Sequence, residues 1–195
     1  MRICGNRQLK TLPGLATRPT SARVREALFN IWQGEIAGTR WLDLCTGTGA
    51  IGAEALCRGA ASVLGIEQSG RACTIIQQNW QQVARGEQTF EVLRADVVQR
   101  LKTLTGKQFD RIYFDPPYAS NLYQPVLDII SQERLLAPTG ELAVEHSPKL
   151  WVAQPTPTLK ICRQKIYGNT AVTFYRTASE SQLLPALVLH VGSEK

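Results

Sequence analysis

The sequence predicts an α/β protein built on a mostly parallel sheet. Three observations carry that expectation. Short apolar runs alternate with stretches of helical periodicity from residue 40 onward; a glycine-rich turn joins the first run to the segment after it; and two β-rich stretches meet at Gly168-Asn169. Strands separated by helices imply right-handed crossovers and parallel pairing. The terminal hairpin adds an antiparallel edge.

The elements follow in order. Residues 1 to about 19 are short, basic and turn-rich, with Gly5, Pro13, Gly14 and Pro19. Pro19 with Thr20 or Ser21 marks a helix start, and Val24, Leu28, Ile31 and Trp32 recur at helical spacing through about Gln33. Gly34 and Gly38 punctuate a linker. Arg40 to Leu44 is the first strand and Ala50 to Arg58 a helix. Val63 to Glu67 is the second strand, and Ser69 caps a helix running to about Ala84. Thr89 to Leu93 is the third strand, followed by a short helix over Val97 to Leu104. Asp110 opens the fourth strand, Arg111 to Phe114, and Leu122 to about Leu135 is a helix. Gly140 to Glu145 is the fifth strand; about Thr158 to Tyr167 and Thr170 to Arg176 form the hairpin. The tail, Ala178 to Lys195, carries an apolar string from Leu183 to Leu189 to which no role is assigned.

Composition sets the bounds. The chain has 195 residues, 44% of them hydrophobic and 19% charged, enough apolar material for one core with an appendage. No apolar stretch is long enough to read as a membrane span, and Met1 to Lys10 has no signal-peptide core. A cytoplasmic monomer is expected. The five cysteines form no C-x-x-C pair, and His146 and His190 are the sole histidines, so free thiols and no metal site are expected. His146, after the fifth strand and within range of the base pocket, reads as a surface or structural residue and is left out of the site. Arg2, Arg7, Lys10, Arg18, Arg23 and Arg25 fall within the first 25 residues, which hold no acid; the other 16 basic and 16 acidic side chains cancel. A basic arm on a neutral body points to a phosphate-rich partner.

Two motifs carry chemistry. Gly47, Gly49 and Gly52 match G-x-G-x-x-G between a strand and a helix, where bare backbone approaches a ligand closely. Two ligands compete for this loop. A dinucleotide would place its pyrophosphate at the helix N-terminus and its ribose on Glu67. S-adenosylmethionine would use Glu67 for its ribose hydroxyls and leave Asp43 facing its cationic amino-acid end. The second motif, Asp115-Pro116-Pro117-Tyr118, ends the fourth strand on the same sheet edge. An exocyclic amino group on a nucleobase is a poor nucleophile because its lone pair is delocalised. Two acceptors, the Asp115 carboxylate and the Pro116 carbonyl, would take its N–H bonds and favour a pyramidal nitrogen. The prolines hold that carbonyl outward, and Tyr118 offers a stacking face for a flipped or unpaired base. The proton goes to Asp115 or to water. Asp96, with Val97 after it, follows the third strand, where it either accepts from the cofactor adenine or caps the next helix.

Together these segments resemble the RsmD-type family of bacterial 16S rRNA guanine-N2 methyltransferases. Arg18-Pro19-Thr20 with Arg23 to Asn30 is similar to its N-terminal signature, and Leu42-Asp43-Leu44 with Gly47 to Gly52 to its cofactor segment. Asp115 to Tyr118 is similar to its catalytic loop, and Lys165 to Gly168 with Phe174-Tyr175 to its closing hairpin. The resemblance implies a Rossmann-like class I S-adenosylmethionine-dependent methyltransferase fold, a seven-stranded sheet with the last strand antiparallel. It also implies 16S rRNA, within small ribosomal subunit particles, as the partner. Catalytic roles then fall to Asp115, Pro116 and Tyr118. Cofactor contacts fall to Asp43, Gly47, Gly49, Glu67, Asp96, Val97 and Asp115, and RNA contacts to Arg7, Lys10, Arg18, Thr20, Arg23 and Arg25. Arg18 and Arg25 have a structural alternative, bonding the arm to the body. The chain divides into a basic arm and helix (1–38), a methyltransferase domain (39–177) and the tail (178–195). Rival readings are a DNA adenine or protein glutamine methyltransferase, a non-catalytic RNA-binding module and, more weakly, a dinucleotide-dependent dehydrogenase.

Overall fold

The computed structural model of the chain describes residues 2–3, 7–11 and 22–178. Seven strands make one sheet: β3 (Arg40–Leu44), β4 (Ser62–Glu67), β5 (Thr89–Arg94), β6 (Phe109–Phe114), β7 (Leu136–His146), β8 (Leu159–Tyr167) and β9 (Thr170–Thr177). Their order is β5-β4-β3-β6-β7-β9-β8. The first five are parallel, and β9 runs antiparallel to both β7 and β8. The chain-last strand of the hairpin is therefore inserted beside β7, and β8 is left as the edge. β9 can take the inner place because its residues from Thr170 to Tyr175 are buried, whereas β8 is mostly exposed.

Alternation along the central strands fills two cores, one on each face of the sheet. Trp41, Val63, Tyr113, Ala143, Val172 and Phe174 point to one face. That face is covered by α1 (Ala22–Ile31), α2 (Ala50–Cys57) and α3 (Gly70–Val83). Leu42, Leu44, Ile66, Ile112, Phe114, Leu142, Val144 and Tyr175 point to the other, covered by α4 (Val97–Leu101) and α5 (Tyr123–Gln132). α1 is seated by aromatic packing: Phe29 stacks on Trp41 at 5.6 Å, and Trp32 meets Trp41 and Phe174 edge-on. Each such pair is worth about 1 kcal/mol beyond area burial.

Several boundaries differ from the sequence expectation. The arm carries a two-residue ladder, β1 (Arg2–Ile3) with β2 (Arg7–Gln8), that its turn-rich composition concealed. α5 stops at Gln132 because Arg134 takes a positive φ of 50° and turns the chain straight into β7, four residues before the strand expected at Gly140. α4 ends at Leu101 rather than Leu104. Cys45, Cys73 and Cys162 are free, but Cys57 is disulfide-bonded, which corrects the expectation of free thiols throughout. Sequence spacing does not reveal which sulfurs meet in space. Residues 179–195 of the tail lie outside the described residues. Among the described residues no helix is long and apolar enough to cross a membrane, and no group of acidic, histidine and cysteine side chains is arranged to hold a metal.

Candidate active site

The carboxyl ends of the parallel strands open into a cleft of about 550 Å³. Crevices at this edge are where open α/β sheets bind ligands. One wall is the turn after β3. Cys45 and Gly47 have φ of 59° and 60°, which folds the chain back toward α2. This turn is tied down by carboxylates. The Gly47 amide donates to Glu67 Oε2 at 2.9 Å, the Ser69 amide to Glu67 Oε1 at 2.8 Å, and the Gly52 amide to Asp43 Oδ2 at 3.1 Å. Gly49, expected to meet a ligand, faces the other way. Its carbonyl accepts from Trp80 Nε1 at 2.8 Å, and a Cβ there would sit 2.9 Å from that same nitrogen. Gly49 does not line the cleft. Its bareness lets Trp80 pack against it.

The electrostatics of the cleft are one-sided. Asp43, Glu67, Asp96, Asp115 and Glu145 line it, and among the described residues no lysine, arginine or histidine does. Burial pushes the Asp43 carboxyl well above its usual range; the Gly52 N–H opposes that shift and the Glu67 charge adds to it. Burial and four neighbouring carboxylates also raise the Cys45 thiol, which stays protonated and offers no thiolate. An acidic pocket of this kind favours a cationic ligand. It disfavours a pyrophosphate, because the Gly47 and Gly52 amides already hold carboxylates. Asp96 lines the cleft beside Val97 and also caps α4, its Oδ1 accepting from the Gln99 amide at 2.9 Å. Both sequence readings of Asp96 are compatible with this position.

The opposite wall is the loop after β6. The Asp115 amide donates to the Leu44 carbonyl at 3.4 Å, which keeps the loop beside the glycine turn. Asp115, Pro116, Pro117 and Tyr118 all line the cleft. The Tyr118 hydroxyl is fixed from two sides: it donates to Glu145 Oε1 at 2.8 Å and lies 2.9 Å from Thr170 Oγ1. The other Glu145 oxygen accepts from the Tyr113 hydroxyl, and the Tyr123 hydroxyl reaches the Glu145 carbonyl at 3.5 Å. Burial, and then the Glu145 charge, push the Tyr118 hydroxyl upward, so it remains a donor. Glu145 and Thr170 were not among the residues expected from sequence. The available signal was the acid that follows the apolar run Leu142-Ala143-Val144 at a sheet end. His146 beside it is buried, with Nε2 2.9 Å from Thr173 Oγ1 and its pKa lowered by burial, in keeping with a structural role.

The expected RNA-contacting cations are dispersed. Arg7 Nη1 reaches the Val83 carbonyl at 3.5 Å, and Lys10 Nζ donates to Gln78 Oε1 at 2.8 Å, so both side chains turn onto α3. The Lys10 backbone is also clasped by Asn79, which bonds its N–H and carbonyl and then the Thr48 carbonyl at 3.1 Å. Arg25 is only 6% exposed, on the packed side of α1 with Val24 and Leu28. That enclosure favours the structural alternative, in which Arg25 ties α1 to the body. Arg23 is exposed, and its guanidinium lies 6.0 Å over the Tyr167 ring. Arg18 and Thr20 lie outside the described residues.

Comparison with known proteins places this geometry. The family model described as "Conserved hypothetical protein 95" matches residues 1–176. A Haemophilus influenzae protein named "Ribosomal RNA small subunit methyltransferase D" is 28% identical over 171 residues, covering 84% of this chain and 89% of that one. The Escherichia coli K12 protein of the same name is 27% identical over 170 residues, covering 87% and 83%. A solved Escherichia coli structure titled "Putative methyltransferase yhhF" superposes with a TM-score of 0.80 at 28% identity, covering 91% of this chain and 97% of that one. The architecture is the Rossmann-like class I methyltransferase fold.

Proposed function

The chain belongs to the conserved hypothetical protein 95 family, and on that premise we propose that it transfers a methyl group from S-adenosylmethionine to the exocyclic N2 amino group of a guanine in 16S rRNA. The observation that carries this reading is the cleft itself. Among the described residues five acidic side chains and no cation line it, one wall is the glycine turn, and the other is the Asp115–Tyr118 loop. The relatives named as small-subunit rRNA methyltransferases support RNA as the substrate.

The donor set fits the cofactor. S-adenosylmethionine supplies an electrophilic methyl on a sulfonium. Glu67, at the end of β4, is placed to accept from ribose hydroxyls while it holds the Gly47 amide. Asp96 and Val97 hold the adenine end, and Asp43, whose Oδ2 accepts from the Gly52 amide behind the turn, faces the amino-acid end. Asp115 and the Pro116 carbonyl accept the two N–H bonds of the target amino group, which frees its lone pair. Tyr118 stacks on the extruded base. Orientation of the nitrogen in line with the methyl supplies much of the rate. The released proton goes to Asp115 or to water, and the pH–rate profile of wild type separates these. Residues 1–38 are the arm and helix that precede the transfer domain, 39–177.

Transfer of labelled methyl to unmodified small subunits, naked 16S rRNA, DNA and protein, with product analysis, tests the proposal. N2-methylguanosine is expected. Methyladenine in DNA, methylated glutamine in protein, or cofactor binding with no product would overturn it.

A further inference from the structure

Resting on the RNA-methyltransferase reading, we infer that the tip of the β8–β9 hairpin, Lys165 and Tyr167 with Arg23 of α1 beside them, grips the RNA strand next to the target base. The grip the sequence assigned to the arm is weakened by the structure. Arg7 and Lys10 turn onto α3, and Arg25 is buried. A second basic stretch lies elsewhere. From His146 to Ser179 the chain carries Lys149, Lys160, Arg163, Lys165 and Arg176 and no acid. Arg163 and Arg176 are drawn in by Glu141. Lys165 is exposed near the turn, next to Ile166, which is 63% exposed, and two residues before Tyr167.

Position completes the argument. β9 is antiparallel to β7, so the Gly168-Asn169 turn sits at the same end of the sheet as the cleft. Thr170, the first residue of β9, touches the Tyr118 hydroxyl. A strand whose base enters the cleft over Tyr118 therefore continues across the hairpin tip. There it meets a half-buried aromatic ring and two cations, Arg23 and Lys165. Single-stranded RNA is held by this combination: cations on phosphates and an aromatic face for a base. Exposed lysines on β8 also discourage pairing of this edge with a second copy of the chain.

The test measures binding of the full chain to unmodified 16S rRNA across a salt titration, beside S-adenosylmethionine affinity and steady-state kinetics. The variants are Lys165→Glu, Arg23→Gln and Tyr167→Ala. Lys107→Glu, exposed at the opposite end of the sheet, is the control. The pair Lys165→Glu with Arg23→Gln is expected to weaken binding about tenfold or more and to reduce the salt slope by about 2. Tyr167→Ala is expected to weaken it about tenfold with little change in slope. KM for RNA rises while kcat at saturating RNA and cofactor affinity stay at wild-type values. Tip variants that bind with wild-type affinity and slope, a loss equalled by Lys107→Glu, or a fall in kcat without a fall in binding would each overturn the inference. Wild type that binds RNA through the tip but methylates none supports the surface and overturns the proposed reaction. Wild type that binds no RNA overturns both.

Discussion

β7 carries two buried glutamates on one face, four residues apart, and they are handled in opposite ways. Glu141 and Glu145 are 2% and 4% exposed, so burial does not distinguish them. Glu141, toward the amino end of the strand, accepts from Trp32 Nε1 at 2.5 Å, Arg163 at 3.2 Å and Arg176 at 2.8 Å. Burial pushes its carboxyl up, but the Trp32 N–H and then the two guanidinium groups outweigh that, and the net shift is downward. Glu145, at the cleft, is met by the hydroxyls of Tyr113 and Tyr118 instead. Cations close the first site into a clasp between α1 and the hairpin. At the second, the hydroxyls of two tyrosines hold the carboxylate beside the cleft, and among the described residues no cation lines that cleft. The same residue type thus serves stability at one end of a strand and the placement of a cleft tyrosine at the other.

Substitutions can sharpen or break this division. The largest expected effect is at the cleft. Asp115→Ala should reduce methyl transfer about a thousandfold while calorimetric S-adenosylmethionine binding persists; full activity in that variant would remove Asp115 from the chemistry. Next is Gly52→Ala, which joins the two kinds of effect. Its Cβ would lie 2.3 Å from Trp80 Cζ2. Overpacking of that severity should cost about 3 kcal/mol, lowering both thermal stability and cofactor affinity, because Trp80 and the Gly52 amide both brace the turn.

At the far end, Glu141→Gln should cost about 2 kcal/mol, read as a drop in Tm of about 5 °C, with kcat unchanged. The sign of the pH dependence follows from the downward shift. The folded carboxylate binds its proton less readily than the unfolded one. Its stabilisation is therefore present above the unfolded pKa and lost as pH falls through the folded pKa. Wild type and variant should converge in Tm toward acid pH, and a constant gap would contradict the assignment. The smallest effect should come from Glu145→Gln and Tyr118→Phe. Each is expected to lower kcat about tenfold, with Tm little changed, and the double variant should be no worse than the poorer single one. Additive losses would show that Glu145 acts on something other than Tyr118.

Much of the frame was readable from the chain. The strand Arg40–Leu44 and the Ser69 cap were legible because each depends on neighbours in sequence. The inserted position of β9 was not, since strand order is fixed by which apolar faces meet in space. Contacts to the site divide similarly. Glu67 stood at a telling distance from the glycines. Glu145 and Thr170 converge on Tyr118 only through the β7–β9 pairing, and no local pattern announces that meeting. Arg25 shows the converse failure. Its charge suggested a surface, but it sits beside Val24 on the face that α1 packs.

The inserted strand also governs when the molecule can work during its own synthesis. Among the described residues β8 pairs only with β9, and β9 supplies Thr170 to the Tyr118 hydroxyl. A nascent chain stopped anywhere before Thr170 has its glycine turn, Asp115 and Glu145 already made, yet lacks the second hold on its tyrosine. It also has no inner partner onto which β8 can fold. Translation therefore delivers this second hold on Tyr118 after the rest of the cleft, and partial chains are born without it.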